Sequence, residues 1–165
     1  MRYTITALIV ASGLALTGCA GQAPKTTPAK SPTASATRQV LNFGEERPGK
    51  RGVIVVGKPA GYDLPADPQR AKELTRGTKL DVTVRNTAKK ALPAANFSFT
   101  VTVNGTAAAV VTDPAKNLGD KLPSDVLPGA ERTFGIVVPL PAKPAEVTVK
   151  VAYDRTNPIY WTGSA

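Results

Sequence analysis

The chain contains no histidine, and it has one cysteine, one methionine and one tryptophan among 165 residues. Without histidine there is no His general base, no Ser-His-Asp triad and no His-bearing zinc or copper site. One methionine and one cysteine leave a soft copper site without enough ligands. A single cysteine cannot form an intramolecular disulfide, so a folded domain must be held by its core. Acids are scarce: 12 Asp and Glu stand against 21 Lys and Arg, for a formal charge of +9. That excess suits anionic partners such as nucleic acid, lipid headgroups or acidic wall polymers. Fifteen prolines and fourteen glycines exclude long helices. The length suits one domain once a targeting segment is set aside.

The N-terminus has the layout of an export signal. Arg2 precedes the uncharged run Ile5 to Leu16 (ITALIVASGLAL). Twelve residues are too few to cross a hydrocarbon core of ~30 Å, which takes about 20 helical residues. The run ends in Leu16-Thr17-Gly18-Cys19, which resembles the lipobox of bacterial lipoproteins. The resemblance implies cleavage after Gly18 and a diacylglyceryl group on the Cys19 thiol, with Leu16, Thr17 and Gly18 as recognition residues. Small residues fit a protease cleft, and a thiol is the side chain best suited to alkylation. Two acyl chains give stable anchoring where one gives marginal binding. The expected location is therefore the extracytoplasmic face of the cell membrane.

Residues 20–39 contain no aromatic, no Val, Ile or Leu, and no acid. Such a segment cannot offset the entropy of ordering, and it reads as a disordered tether. Prolines 24, 28 and 32 bias it toward extended conformations at ~3.1 Å per residue, a reach of up to ~60 Å. The chain thus divides into a signal peptide, 1–18, a lipidated Cys with its tether, 19–39, and a folded domain, 40–165.

In the domain, alternation dominates. Leu80 to Arg85, Phe97 to Val103 and Val147 to Tyr153 each place apolar residues on one face at a period of two. Gly52 to Val56 and Phe134 to Val138 are denser and read as strands covered on both faces. Ala107 to Thr112 is a weaker strand candidate. Asn104-Gly105 suits a tight hairpin and Pro128-Gly129 a turn. Ala66 to Leu74 could form one or two helical turns, with Asp67 as cap and Pro68 in the first turn. Six or seven short strands predict an all-β, two-sheet antiparallel sandwich.

Three blocks carry a family resemblance: LDVTVRNTAKKAL (80–92), FSFTVTVNG (97–105) and DVLPGAERTFGIVVPLP (125–141). The span from Gly77 to Val151 resembles a domain of unknown function common on Gram-positive and actinobacterial surface lipoproteins. That domain is immunoglobulin-like and related in fold to a secreted mycobacterial immunoprotective antigen. In the family a strand ends in Asn-Thr-Gly, and a Leu-Pro-Gly turn leads into a strand containing glycine. Here Ala88 replaces the first glycine, and Ala130 separates Gly129 from Glu131. The resemblance implies an immunoglobulin-like sandwich and no catalytic residue.

The chemistry-bearing residues point the same way. No Ser-x-x-Lys motif occurs, and no cofactor or metal is implied. Asp113, Asn117, Asp120 and Asp125 could offer oxygens to Ca²⁺, but their spacing is not that of an EF-hand and Lys116 and Lys121 intrude. That stretch reads as a solvated loop. Basic residues cluster as Arg47, Lys50 and Arg51; Arg70, Lys72 and Arg76; and Lys89 and Lys90. Lys89, Lys90 and Trp161 are candidate contacts to a partner or polymer, although the Tyr153, Tyr160 and Trp161 group reads more simply as one end of a core. The export signal and the absence of an aromatic platform argue against nucleic acid. The expectation is a non-catalytic interaction module facing an envelope protein. The alternative is electrostatic binding of an anionic wall polymer or small ligand.

Overall fold

The structure is a computed structural model, and it describes residues 39–67, 69–154 and 157–165. The segments expected to be a signal peptide and tether, with Cys19, lie outside the described residues through Arg38. Gln39, assigned above to the tether, is the first residue of a strand and belongs to the sandwich.

The described residues form ten strands in two sheets. One sheet runs β1 (Gln39–Asn42), β10 (Ile159–Ser164), β9 (Glu146–Tyr153), β6 (Phe97–Val103), β7 (Thr106–Ala107). The other is built on the long β5 (Arg76–Asn86). β8 (Glu131–Leu140) lies along one side of β5. On the other side β3 (Gly52–Val56) and β4 (Ala60–Tyr62) share its length, and β2 (Glu46–Pro48) pairs with β3. All these pairings are antiparallel except β1 with β10. This is the expected immunoglobulin-like β-sandwich.

The period-two pattern sets the core. Thr78, Leu80, Val82, Val84 and Asn86 are buried on β5, while Asp81 and Arg85 on its other face are exposed. Phe97, Phe99 and Val101 of β6 and Val147, Val149 and Val151 of β9 face them from the second sheet. Phe99 and Phe134 meet across the core edge to face, centroids 5.0 Å apart.

The two dense runs behave differently. Phe134 to Val138 is buried on both faces, as expected. The segment after β7 accounts for this. Val111 N–H donates to the Val137 carbonyl at 2.8 Å, Gly119 N–H donates to Gly135, and Leu118 is buried against Gly135. Gly52 to Val56 is only half-buried until Val56, because β3 is flanked by short β2 and lies toward the sheet margin.

Three local expectations need correction. Ala107 to Thr112 is not a strand: pairing ends at Ala107, and Val111 contributes one isolated bridge. Residues 66, 67 and 69–74 form turns and bends rather than a helix. The Asp67 carboxylate does accept a bond from the Gln69 N–H at 2.9 Å, but it closes a turn instead of capping a helix. Pro68 lies outside the described residues. The loop 113–125 is less solvated than expected, because Leu118 and Leu122 are buried within it.

The turn residues behave as their chemistry requires. Asn104 and Gly105 have φ of 48° and 78°, the left-handed pair of a tight hairpin. Leu127 to Ala130 closes with Pro128 second and Gly129 third at φ 75°, as a type II turn demands.

Candidate functional site

Two of the three basic clusters meet at one end of the sandwich. The β2–β3 turn carries Lys50 and Arg51, with Arg47 just before it on β2. The β5–β6 loop carries Lys89 and Lys90, both exposed. The β9–β10 turn brings Tyr153 and Asp154. Backbone bonds lock these loops together: Thr87 N–H donates to the Arg51 carbonyl at 3.1 Å, and Asp154 N–H donates to Asn96 at 2.9 Å.

The β5–β6 loop is fixed from beneath by Asn86, which is fully buried. Its amide donates to the carbonyls of Lys90 at 2.9 Å and Val126 at 2.8 Å, and its side-chain oxygen accepts from Ala88 N–H at 2.9 Å. Its main chain bonds Ala130 and Gly129. The Asn-Thr-x-Lys-Lys stretch and the Leu-Pro-Gly turn are therefore one structural unit with Asn86 at its centre. Ala88 has no positive φ, so glycine is not required there.

The loops enclose a cleft of about 490 Å³. Ile54, Val84, Leu92, Phe97 and Ile159 give it an apolar floor, and Arg47, Lys50 and Arg51 stand over it. A second hollow of about 350 Å³ adjoins it, bounded by Lys89 and Lys90 and by the shared residues Arg51, Leu92 and Tyr153. Asp154 is the one carboxylate among the described residues lining either space.

Arg51 is the divide between them. Its Nη1 donates to the Tyr153 hydroxyl and to an Asp154 oxygen, each at 3.2 Å, and its guanidinium lies 5.4 Å from the Tyr153 ring centroid. The hydrogen bond to Tyr153 holds this guanidinium further above its ordinary range, and Asp154 adds to the effect. Arg51 remains 61% exposed. Arg47 is half-buried, and its Nε has no hydrogen-bond partner among the described residues.

The other expected site residues are placed elsewhere. Trp161 is not a contact residue: it is fully buried, and its indole N–H donates to the Glu45 carbonyl at 2.9 Å. Aromatic chemistry alone could not tell a surface anchor from a core tryptophan whose polar atom is satisfied. Arg76 lies at the opposite end of β5, donating to the carbonyls of Pro141 and Lys143. In the 113–125 loop Asp113 pairs with Lys116 at 3.5 Å and Asp125 accepts from Ala94 N–H at 2.8 Å. Among the described residues no three acidic groups come together as a cation site. Tyr153 and Arg47 as walls of one cleft were not legible, because the segments that form it are far apart in sequence.

No family model matches the chain, and no curated protein matches it. Solved structures do. An uncharacterised β-sandwich protein of Clostridium difficile matches 81% of this chain over 99% of its own, with a TM-score of 0.51 and 12% identity. The yjhA protein of Bacillus subtilis matches 73% over 97% of its own, at 0.54 and 10% identity. A lipoprotein candidate of Bacillus subtilis, ycdA, matches 72% of this chain at 0.55 and 13% identity, and the match spans 38% of its length. At these identities the likeness is one of fold: the chain is a β-sandwich similar to these bacterial proteins.

Proposed function

We propose that the chain is a non-catalytic binding module, held outside the cytoplasmic membrane by a lipid on Cys19, whose end cleft takes an anionic ligand of the cell envelope. The convergence of Arg47, Lys50, Arg51, Lys89 and Lys90 on adjoining hollows carries the reading. An apolar floor with a few charged groups at its rim is the usual build of a ligand site. The lipobox-like Leu16-Thr17-Gly18-Cys19 supports the address, and the fold likeness to the lipoprotein candidate ycdA is consistent with it. The lack of histidine, and a cleft whose one described carboxylate is paired with Arg51, support a binding role over a catalytic one.

The test is sedimentation with isolated envelope material over a range of salt. Exposed charge pairs are screened beyond ~10 Å at 0.1 M salt, so association should fall steeply as salt rises. It should also fall on Arg51→Glu. Association indifferent to both would instead favour an envelope protein bound elsewhere on the sandwich.

A further inference from the structure

The two hollows share Arg51, Leu92 and Tyr153, and each has cations of its own: Arg47 and Lys50 in the larger, Lys89 and Lys90 in the smaller. Charge is thus spread along the pair rather than gathered at one point. A compact anion would engage one side and leave the other unbalanced. We propose that the two hollows form one groove for a polyanionic chain, whose charges recur along a sugar or polyol body and seat on both sides of Arg51. This rests on the reading of the cleft as the ligand site and names the class of ligand.

Three features favour such a chain over other anions. The site is concave, with apolar residues at its floor, so a flat bilayer surface cannot reach that floor whereas a flexible chain can. The volumes of about 490 and 350 Å³ each fall in the range of small-molecule sites, roughly 300–1,000 Å³, so each can hold one unit of a polymer. Nucleic acid fits poorly. Single-strand binders stack bases on open aromatic faces, but here Trp161 is buried and Arg51 lies over the Tyr153 ring. Four of the five floor residues are aliphatic, and the fifth, Phe97, is buried with its ring packed against Phe99 and Tyr153, which suits a saturated body rather than a stacked base.

The pairing of Arg51 with Asp154 fits this use. The ion pair leaves Arg51 well exposed, so an incoming anion can share the guanidinium without desolvating a buried charge. Arg47, whose guanidinium donates to the Pro48 carbonyl, adds a further cation to the lining of the larger hollow.

The experiment uses the full chain carrying Cys19→Ala, so that no acyl chain contributes. Calorimetry compares an oligomer of poly(glycerol phosphate), monomeric glycerol phosphate, a single-stranded oligonucleotide and anionic vesicles. The oligomer should bind at least tenfold more tightly than the monomer and more tightly than the oligonucleotide or vesicles. Lys50→Glu and the double variant Lys89→Glu/Lys90→Glu should each weaken oligomer binding tenfold or more and flatten its salt dependence. A matched control, Lys121→Glu/Lys143→Glu, changes exposed lysines away from the groove and should stay within twofold. Unchanged Trp161 fluorescence and melting would show that the variants fold.

Equal loss in the control pair would overturn the proposal, since net charge alone would then explain binding. Oligomer affinity unaffected by Lys89→Glu/Lys90→Glu would also overturn it, while leaving a one-hollow anion site and the proposed function intact. Preference for vesicles or for the oligonucleotide would replace the polyanionic chain with a surface or a nucleic acid. If envelope material still bound the Lys50 and Arg51 variants undiminished, the cleft itself would fail as the ligand site.

Discussion

The side-chain amide of Asn86 donates to the Val126 carbonyl at 2.8 Å, and both residues are fully buried. This bond joins the end of β5 to the turn that starts β8, and a second amide bond holds Lys90. A buried group stripped of its partner costs about 1–3 kcal/mol. Asn86→Ala orphans the amide N–H of Ala88 and removes a donor from two carbonyls, so it should lower stability by about 3 kcal/mol or more. Asn86→Asp keeps the shape but aims an anion at the same carbonyls. Its folded-state pKa should rise, so its stability deficit should be largest at neutral pH and shrink as pH falls. Urea unfolding at pH 7 and pH 4 reads both effects. Equal deficits at the two pH values would show that the amide donors are not what matters.

Gly135 sits in the middle of β8, and a Cβ there would come within 2.6 Å of the Leu118 side chain and 2.8 Å of the Lys79 side chain. Both neighbours are side-chain atoms that can shift, so Gly135→Ala should cost a modest ~1–2 kcal/mol. Leu118→Ala alone should cost about 2 kcal/mol or more, since Leu118 is buried. Combined, the two should be less than additive, because the smaller side chain at 118 makes room for the new methyl. Additive losses in thermal or urea unfolding would mean that the glycine serves the strand's backbone instead of this contact.

Strands were legible where one face is buried and the other wet. β5, β6 and β9 alternate over seven residues or more, and their pattern survives into the structure. β1, β2 and β4 span only three or four residues each and are largely exposed, so they leave no period to read. They exist because a longer strand offers them hydrogen bonds, and that is non-local information. The same limit governs the site. Lys89 with Lys90 and Arg47 with Lys50 and Arg51 were visible as charge, yet their meeting depends on bonds such as Thr87 N–H to Arg51 O. The helix expected at 66–74 failed because Asp67 satisfies a turn equally well.

The proposed membrane address rests on Cys19. Cys19→Ala should move the chain from the membrane fraction to the soluble exported fraction, with no acyl group detected by mass spectrometry. Stable anchoring takes two acyl chains, and each buried CH₂ is worth ~0.8 kcal/mol, so the shift should be nearly complete. Retention of the variant on membranes after high-salt washing would place the attachment elsewhere.

Trp161 and the Asn42–Glu45 turn separate core from contact surface. The indole donates to the Glu45 carbonyl, and the Glu45 carboxylate accepts from the Asn42 amide at 3.0 Å and the Asn42 N–H at 2.9 Å. These bonds hold the Glu45 pKa below its ordinary 4.5, chiefly through the Asn42 side chain. A depressed folded-state value means the carboxylate stabilises above the unfolded pKa and stops doing so as pH falls through the folded one. Wild type should therefore melt above Glu45→Gln at pH 6, and the gap should close toward pH 3. Trp161→Phe removes the indole donor and should cost about 1–3 kcal/mol. Trp161→Ala should cost ~3–5 kcal/mol through the cavity it leaves. Because Trp161 is fully buried and lies outside the described lining of both hollows, Trp161→Phe should leave binding to anionic envelope material unchanged under conditions where it stays folded. Loss of binding without loss of folding would return Trp161 to the contact surface and move the site away from Arg51.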